Sequence, residues 1–237
     1  MTGVEDPYQG AKQRFNRLAL EALPELEGIV HRAADPLLAA VRFSIAANAI
    51  DVGVAGDITD AEVHGALHGA LGIPLLGDVE VFGRVLGAAN RILFLADNAG
   101  EIAIDRLLIE AIGPERVIVA VRGHPVLNDA TMEDARAVGM HGIVEVMENG
   151  SDVAGTILAD CHAEFRRRFR EADLIVVKGQ GNFETLCEVD GNFLFLLKIK
   201  CPVLSQHVGL PLGAHALLHR ESASGGRGWN GGRIRDP

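Results

Sequence analysis

Short, continuous apolar runs alternating with helix-length amphipathic stretches constrain the fold of this chain most strongly, and they begin at Arg91. The runs are rich in β-branched residues and each ends in a turn, which predicts strands at residues 92–96, 117–121, 142–147, 174–177 and 202–205. The stretches between them predict helices at residues 103–111, 131–138, 156–170 and 182–186. Strands that are apolar throughout are typical of a parallel sheet with helices on both faces. The chain is therefore predicted to be α/β.

The first 90 residues have a different pattern, because their apolar residues recur at three- and four-residue spacing, which predicts helices. Asp35-Pro36 and Thr59 are predicted helix starts, and Gly53 to Gly56 is a predicted turn. The resulting division is a helical part at 1–90, an α/β core at 91–220 that binds metal and phosphate, and a disordered tail at 221–237 that is rich in Gly, Arg and Ser.

Composition narrows the classes of partner. The net charge of −10 disfavours nucleic acid and anionic membranes, because both require a positive surface. No apolar run approaches the roughly 18 residues that a membrane-spanning helix needs, and the polar N-terminus does not resemble a signal peptide. The three cysteines are widely spaced and odd in number, as expected of reduced thiols. We therefore expect a cytoplasmic protein.

Polar residues follow every predicted strand, and in an open α/β sheet ligands bind at the carboxyl ends of the strands. Asp97-Asn98 follows the first strand, where oxygen donors suit Mg²⁺ or Mn²⁺ or else cap the next helix. Asp134 could complete a three-donor metal site, whereas Asp129 and Glu133 fit a solvated acidic helix face better.

A lysine and two glycines follow the fourth strand, in Lys178-Gly179-Gln180-Gly181-Asn182. Such a turn either cradles a phosphate with backbone amides and a cation, or is a plain strand-to-helix turn. Walker A, dinucleotide-binding, zinc-hydrolase and α/β-hydrolase motifs are absent from the sequence. The turn after the first strand has too few glycines for a methyltransferase cofactor loop.

Four strings stand in order along the chain: 94–102 around Asp97-Asn98, 127–131 with Asn128-Asp129-Ala130-Thr131, 150–152 with Gly150-Ser151-Asp152, and 177–184 with the lysine-glycine turn. Together they resemble the damage-control phosphatase family, also called ARMT-like or domain of unknown function 89, in its small prokaryotic branch. The resemblance covers about residues 6–212. It implies a three-layer, Rossmann-like, mostly parallel sheet with a helical N-terminal part.

The resemblance also implies roles for individual residues. Asp97, Asn98 and Asp134 would bind a divalent metal, which could be Mg, Mn, Co or Ni. Asp97, Asn98 and Lys178 would be the catalytic residues. The sequence leaves open whether Asp97 is a nucleophile or only a metal ligand, because both roles need a carboxylate at that strand end; we favour a metal ligand with a metal-bound water attacking. The substrate and its phosphate would contact the remaining family positions, which are Gln180, Gly181, Asn182, Glu184 and Lys200.

Two departures from the family pattern limit these expectations. Relatives in this branch usually begin with a further helical segment bearing Cys-x-x-Cys, and larger members carry Arg-Thr-x-Lys where this chain has Leu197-Lys198-Ile199-Lys200. Preference for sugar phosphates is therefore not carried over. The prediction is a metal-dependent phosphomonoester hydrolase that acts on a small phosphorylated metabolite. The alternative is a non-catalytic sensor of a phosphometabolite or nucleotide on the same fold.

Overall fold

A computed structural model describes residues 5–48 and 59–222. Its N-terminal helices are α1 (Gln9–Arg32), α2 (Pro36–Ala47), α3 (Asp60–Gly69) and α4 (Val79–Ala88), with strand β1 (Leu75–Gly77) before α4. The remaining strands are β2 (Ile92–Leu95), β3 (Val117–Val121), β4 (Glu145–Glu148), β5 (Leu174–Lys178), β6 (Phe193–Lys198) and β7 (His215–Arg220). The remaining helices are α5 (Glu101–Ile112), α6 (Met132–Ala137), α7 (Ala163–Glu171), α8 (Gln180–Leu186) and α9 (Pro202–Val208).

The seven strands form one sheet in the order β1-β7-β6-β5-β2-β3-β4. All neighbouring strands are parallel except β6 and β7, which pair antiparallel with Lys198 opposite His215. The chain passes from β2 to β3 on one side and later places β5 on the other side of β2. The carboxyl ends of β2 and β5 therefore border the crevice where ligands bind in doubly wound sheets. The predicted α/β class with a mostly parallel sheet is confirmed.

Helices cover both faces of the sheet. On one face, Phe94, Val119 and Leu194 share a hydrophobic core with α1 to α6. On the other face, Val177 and Phe195 pack with the core side chains of α7, α8 and α9. Each large apolar side chain buried in this way contributes about 1.5–3 kcal/mol. Within the two described ranges, no helix combines the length and apolar character required to cross a membrane.

Several predicted element boundaries agree with the structure. Asp35 caps α2 with Pro36 at its first position, and Thr59 and Glu62 form a capping box at α3. Four of the five predicted strands correspond to β2, β3, β4 and β5, although β4 begins at Glu145 because residues 140–142 form a 3₁₀ turn. The predicted helix at 156–170 begins only at Ala163, because the His162 ring nitrogen Nδ1 accepts from the Phe165 amide and caps it there.

The predicted strand at 202–205 is wrong, because these residues begin helix α9. Cys201 caps this helix through its sulfur, and Pro202 fits the first helical position. Strands β1, β6 and β7 are absent from the predicted set. Strand β6 is apolar on both faces, and such a run has no periodicity to separate it from a helix.

The division of the chain at residue 90 stays a prediction, although β1 precedes that point and belongs to the same sheet. The predicted turn at Gly53 to Gly56 lies outside the described residues. The same is true of the predicted tail from residue 223 onward.

Candidate functional site

A cleft of about 460 Å³ lies at the carboxyl ends of β2, β5 and β6. Most of its lining residues have polar side chains, and they come from five separate segments that only the fold brings together: Asp97, Asn98, Leu127, Asn128, Asp129, Ala154, Gly155, Gln180, Gly181, Glu184, Lys200 and Cys201. Of the predicted site residues, six are therefore brought into one cleft: Asp97, Asn98, Gln180, Gly181, Glu184 and Lys200.

Asp97 and Asn98 are almost fully buried, and one residue, Ala96, separates them from the end of β2. The amide nitrogen of Asn98 donates to Asp97 Oδ2 at 2.8 Å and to Glu101 Oε2 at 3.0 Å. Both donors of the amide are thereby used, which leaves the amide oxygen as the atom of Asn98 that can face a cation. The pair therefore presents one carboxylate and one oriented amide oxygen.

A residue from the N-terminal helices also supports this pair. Asn48, which ends α2, donates to Asp97 Oδ2 at 2.8 Å and to Glu101 Oε2 at 2.8 Å. The pKa of Asp97 is raised well above its ordinary value by burial, by the negative charge of Glu101 and by that of Asp129. Arg122 and Lys200 lower it by smaller amounts. Three buried carboxyl groups, those of Asp97, Glu101 and Asp129, therefore lie close enough to one another to interact electrostatically.

Gly179 brings the end of β5 against the carboxylate of Asp97. Its φ is +78°, and a Cβ atom added to it would lie 1.8 Å from Asp97 Oδ2. Only glycine combines this conformation with so close an approach. The lysine-glycine turn therefore needs its first glycine to make room for Asp97.

Asp129 is a cleft residue that the sequence interpretation assigned to a solvated helix face. It pairs with Asn98 in an isolated antiparallel bridge, and the next amide, of Ala130, donates to the Asp97 carbonyl oxygen at 2.7 Å. Asp129 Oδ2 accepts a 2.7 Å hydrogen bond from Arg122 Nε. The loop after β3 is thus joined to the loop after β2, and Asp129 lies beside Asp97 and Asn98.

Asp134 lies elsewhere and is not among the residues that line the cleft. One of its oxygens accepts from the backbone nitrogen and hydroxyl of Thr131, at 2.9 and 2.8 Å, and thereby caps α6. The same oxygen lies 2.8 Å from Lys12 Nζ, while the other accepts from Asn16 at 2.9 Å. Asp134 thus fastens α6 to α1 and is not brought together with Asp97 and Asn98.

A sequence signal for this difference is present. Thr131 and Asp134 have the spacing of a capping box, which assigns Asp134 to the helix terminus. Asp129 precedes that box and so belongs to the loop at the strand end.

Lys178 is placed beneath the cleft and does not line it. Its side chain is fully buried, and its ammonium donates to Glu101 Oε1 at 2.6 Å, Asp105 Oδ1 at 2.6 Å and the Ser44 carbonyl oxygen at 3.1 Å. Burial alone would lower the pKa of Lys178, but the two carboxylates outweigh it and raise the pKa. With all three donors used, this lysine is a buried support for Glu101.

Of the other residues predicted to contact the substrate, some line the cleft and one is buried away from it. Gln180 and Glu184 line the cleft, and the Gln180 amide donates to Glu184 Oε1 at 2.6 Å and to Cys201 Sγ at 3.3 Å. Asn182 is fully buried and points inward, where its amide donates to the carbonyl oxygens of Ala96 at 3.2 Å and Lys178 at 2.9 Å.

The donors at the cleft fit a hard divalent cation. Asp97 and Asp129 supply carboxylates and Asn98 supplies an amide oxygen, a set typical of Mg²⁺ and Mn²⁺. The repulsion that raises the pKa of Asp97 is the repulsion that a bound cation would relieve. Among the described residues, no group of three His, Cys, Asp or Glu side chains could hold a metal, so a metal here would need a donor of another kind, and the Asn98 amide oxygen is one that the cleft offers.

Comparison with known proteins identifies the family of the chain. The damage-control phosphatase ARMT1-like domain matches residues 1–216 of the chain. A damage-control phosphatase of Archaeoglobus fulgidus is 37% identical over 219 residues, which are 89% of this chain and 75% of that protein. The uncharacterized protein MJ0202 of Methanocaldococcus jannaschii is 35% identical over 91% of this chain and 74% of its own length.

A solved structure extends the comparison to the fold. The crystal structure of a DUF89 family protein from Pyrococcus horikoshii has a TM-score of 0.79 and 30% sequence identity, covering 92% of this chain and 77% of that one. The predicted family resemblance is thereby confirmed: this chain belongs to the damage-control phosphatase ARMT1-like family.

Proposed function

We propose that the protein is a metal-dependent phosphatase that hydrolyses a small phosphorylated metabolite. The observation that carries the proposal is the juxtaposition of Asp97, Asn98 and Asp129 with Lys200 in one cleft of a chain from a phosphatase family. Oxygen donors on one side would hold a divalent cation, and an ammonium would face the phosphate. A bound divalent cation supplies Lewis-acid stabilisation of phosphoryl oxygens.

The residues of the chain have separate tasks in this proposal. Asp97, Asn98 and Asp129 hold the cation, while Lys200 neutralises negative charge on the phosphoryl group. The charge of Lys200 already acts on Asp97, whose pKa it lowers. The backbone at Gly181 and the start of α8 allow the phosphate to approach closely. Catalysis is then mostly positioning and electrostatics.

Two polar atoms of the lining are suited to recognise the metabolite. Within the described part of the chain, Asn128 Nδ2 and Gln180 Oε1 are buried and have no hydrogen-bond partner. Such atoms cost free energy unless a bound molecule or water pairs with them. One donor and one acceptor beside the proposed phosphate position favour a polar metabolite.

Asp97 acts as a metal ligand in this proposal and not as a nucleophile. Its Oδ2 atom accepts hydrogen bonds from both Asn48 and Asn98, which fixes the carboxylate in place. Trapping of an aspartyl-phosphate on Asp97 would overturn this assignment.

The test is phosphate release from sugar phosphates, pantetheine phosphates and an aryl phosphate, with Mg²⁺, Mn²⁺, Co²⁺ and Ni²⁺ in turn. We expect metal-dependent turnover in the wild type, and its loss in Asp97→Ala and Asp129→Asn. Binding of a phosphorylated metabolite without release by any metal-loaded sample would favour the sensor alternative.

Asp134→Asn is the matched control for Asp129→Asn, because both remove one buried carboxylate charge from the segment between β3 and β4. We expect it to lower stability by more than about 1 kcal/mol, because it weakens both the α6 cap and the buried ion pair with Lys12, while turnover persists. Loss of metal binding in Asp134→Asn but not in Asp129→Asn would restore Asp134 as the ligand.

A further inference from the structure

Arg122 is a buried arginine that follows β3 and does not line the cleft. Its guanidinium donates three hydrogen bonds: Nε to Asp129 Oδ2 at 2.7 Å, Nη1 to Thr156 Oγ1 at 3.1 Å and Nη2 to Asn182 Oδ1 at 2.9 Å. Asp129 and Arg122 are 6% and 3% exposed, so solvent screens this ion pair little.

The three acceptors of Arg122 belong to three different segments. Asp129 is in the loop after β3, Thr156 is in the loop before α7, and Asn182 is in α8. Thr156 also donates its hydroxyl to Asn182 Oδ1 at 2.8 Å, which closes a triangle of side chains. A planar fork with donors in fixed directions can hold three acceptors in this way, whereas a lysine ammonium cannot match its geometry.

Asn182 extends the connection to the other two strand ends. Its amide nitrogen donates to the carbonyl oxygens of Ala96 and Lys178, the residues directly before Asp97 and Gly179. A single hydrogen-bonded path therefore runs from the Asp129 carboxylate through Arg122 and Asn182. It ends at the backbone that places Asp97 and at the start of the turn that carries Gln180 and Gly181.

We propose that Arg122 is a positioning residue that joins the metal-binding carboxylates to the phosphate-facing turn of α8, so that its fork sets the affinity of the cleft for metal. The inference rests on the proposed function. It makes Thr156, which lies outside the cleft lining, a residue that influences metal binding through Arg122.

The test is calorimetric titration of Mn²⁺ alone into the full chain, as wild type and as Arg122→Lys, Thr156→Val and Thr156→Ser. Arg122→Lys keeps the positive charge but loses the fork, and we expect its Mn²⁺ dissociation constant to rise about tenfold. Thr156→Val removes one acceptor at nearly constant volume and should raise the constant about threefold. Thr156→Ser keeps the hydroxyl and should bind Mn²⁺ as the wild type does.

The double variant Arg122→Lys with Thr156→Val tests whether Thr156 affects Mn²⁺ binding through Arg122. If Thr156 acts through the fork, the double variant binds Mn²⁺ no more weakly than Arg122→Lys alone. Fully additive effects would overturn the inference. So would wild-type Mn²⁺ affinity in Arg122→Lys and Thr156→Val when thermal unfolding shows lower stability, because Arg122 would then be merely structural.

Two further outcomes remain decisive. If Arg122→Lys does not fold, the comparison of Thr156→Val with Thr156→Ser decides alone, and equal Mn²⁺ affinities overturn the inference. If the wild type binds Mn²⁺ but releases phosphate from no substrate, the phosphatase proposal fails while the affinity differences still test Arg122.

Discussion

Lys178 and Lys200 come at the carboxyl ends of the neighbouring strands β5 and β6, yet they have different surroundings. Lys178 is fully buried and donates to Glu101, Asp105 and Ser44. Lys200 is half-buried, lines the cleft and acts electrostatically on Asp97. A lysine at the end of β5 is thus a buried structural support, whereas a lysine after β6 is part of the cleft surface.

The difference shows that a second set of charged side chains lies buried below the cleft residues. We call this set, Lys178, Glu101 and Asp105, the buried layer. Glu101 connects the two layers, because one of its oxygens accepts from Lys178 and the other from Asn98 and Asn48. A buried lysine with all its donors used cannot also bind a phosphate. Under the proposed function, Lys200 therefore supplies the charge that faces the phosphate, and Lys178 supports the residues proposed to bind the metal.

The largest expected effect comes from removing the buried lysine. Lys178→Met leaves Glu101 and Asp105 without their cation, and breaking a buried ion pair in this way costs about 3–5 kcal/mol of unfolding free energy. Urea unfolding measures the loss. Adding Asp105→Asn to this variant should recover part of it, because one uncompensated charge is removed. If stability is unchanged but turnover is lost, Lys178 acts in catalysis and not as a buried structural support.

A methyl group at the turn between the two lysines should have the next largest effect. Gly179→Ala places a Cβ against the Asp97 carboxylate at a positive φ, and we expect a loss of about 1–3 kcal/mol together with weakened metal binding. Gly181→Ala is the control, since its Cβ would meet nothing closer than 3.6 Å. Thermal unfolding and Mn²⁺ titration of both variants make the comparison. Equal tolerance of the two alanines would argue against the close approach at Asp97.

Neutralising the cleft lysine should separate activity from stability. We expect Lys200→Gln to lower kcat/KM about 100-fold, because a charge facing the phosphoryl group is lost. Its unfolding free energy should change by less than about 0.5 kcal/mol, as is usual for side chains outside the core. Lys200→Arg, which keeps the charge, should retain most activity. A stability loss as large as that of Lys178→Met would mean that Lys200, like Lys178, has a structural role.

The smallest effect is a pH dependence of stability from the buried layer. The pKa of Asp105 is raised to about 6 by burial; Lys178 opposes this rise and Glu101 adds to it. Between about pH 4 and pH 6 the folded chain then holds a proton that the unfolded chain has released, so this contribution to stability falls as pH rises. Urea unfolding across this range should show the fall in the wild type. In Asp105→Asn the fall should be smaller, because Asp97 also has a raised pKa and still contributes to it, and equal slopes in the two proteins would contradict the assignment.

Much of the fold could be predicted from the sequence, and the reasons are local. Strands β2, β3 and β5 are buried apolar runs between turns, and the caps at Asp35 and Thr59 are short-range hydrogen bonds. Strand β6 and helix α9 were harder to predict because Phe193–Lys198 is buried on both faces and Pro202–Val208 is only two turns long. Neither segment shows a clear period.

The candidate site also has a part that the sequence predicts and a part that depends on tertiary contacts. The sequence by itself determined that Asp97, Asn98 and Gln180 follow strands, which in a parallel sheet places them at one edge. Lys200 was proposed only through the family resemblance, because the strand before it, β6, is absent from the predicted set. Only the tertiary structure decided that Asp129 lines the cleft while Asp134 and Lys178 do not. The reason is that such roles depend on partners distant in sequence: Asn16 and Lys12 hold Asp134, and Ser44 and Asp105 hold Lys178. Residue type and spacing fix what chemistry a side chain can perform, and packing fixes which partners it meets.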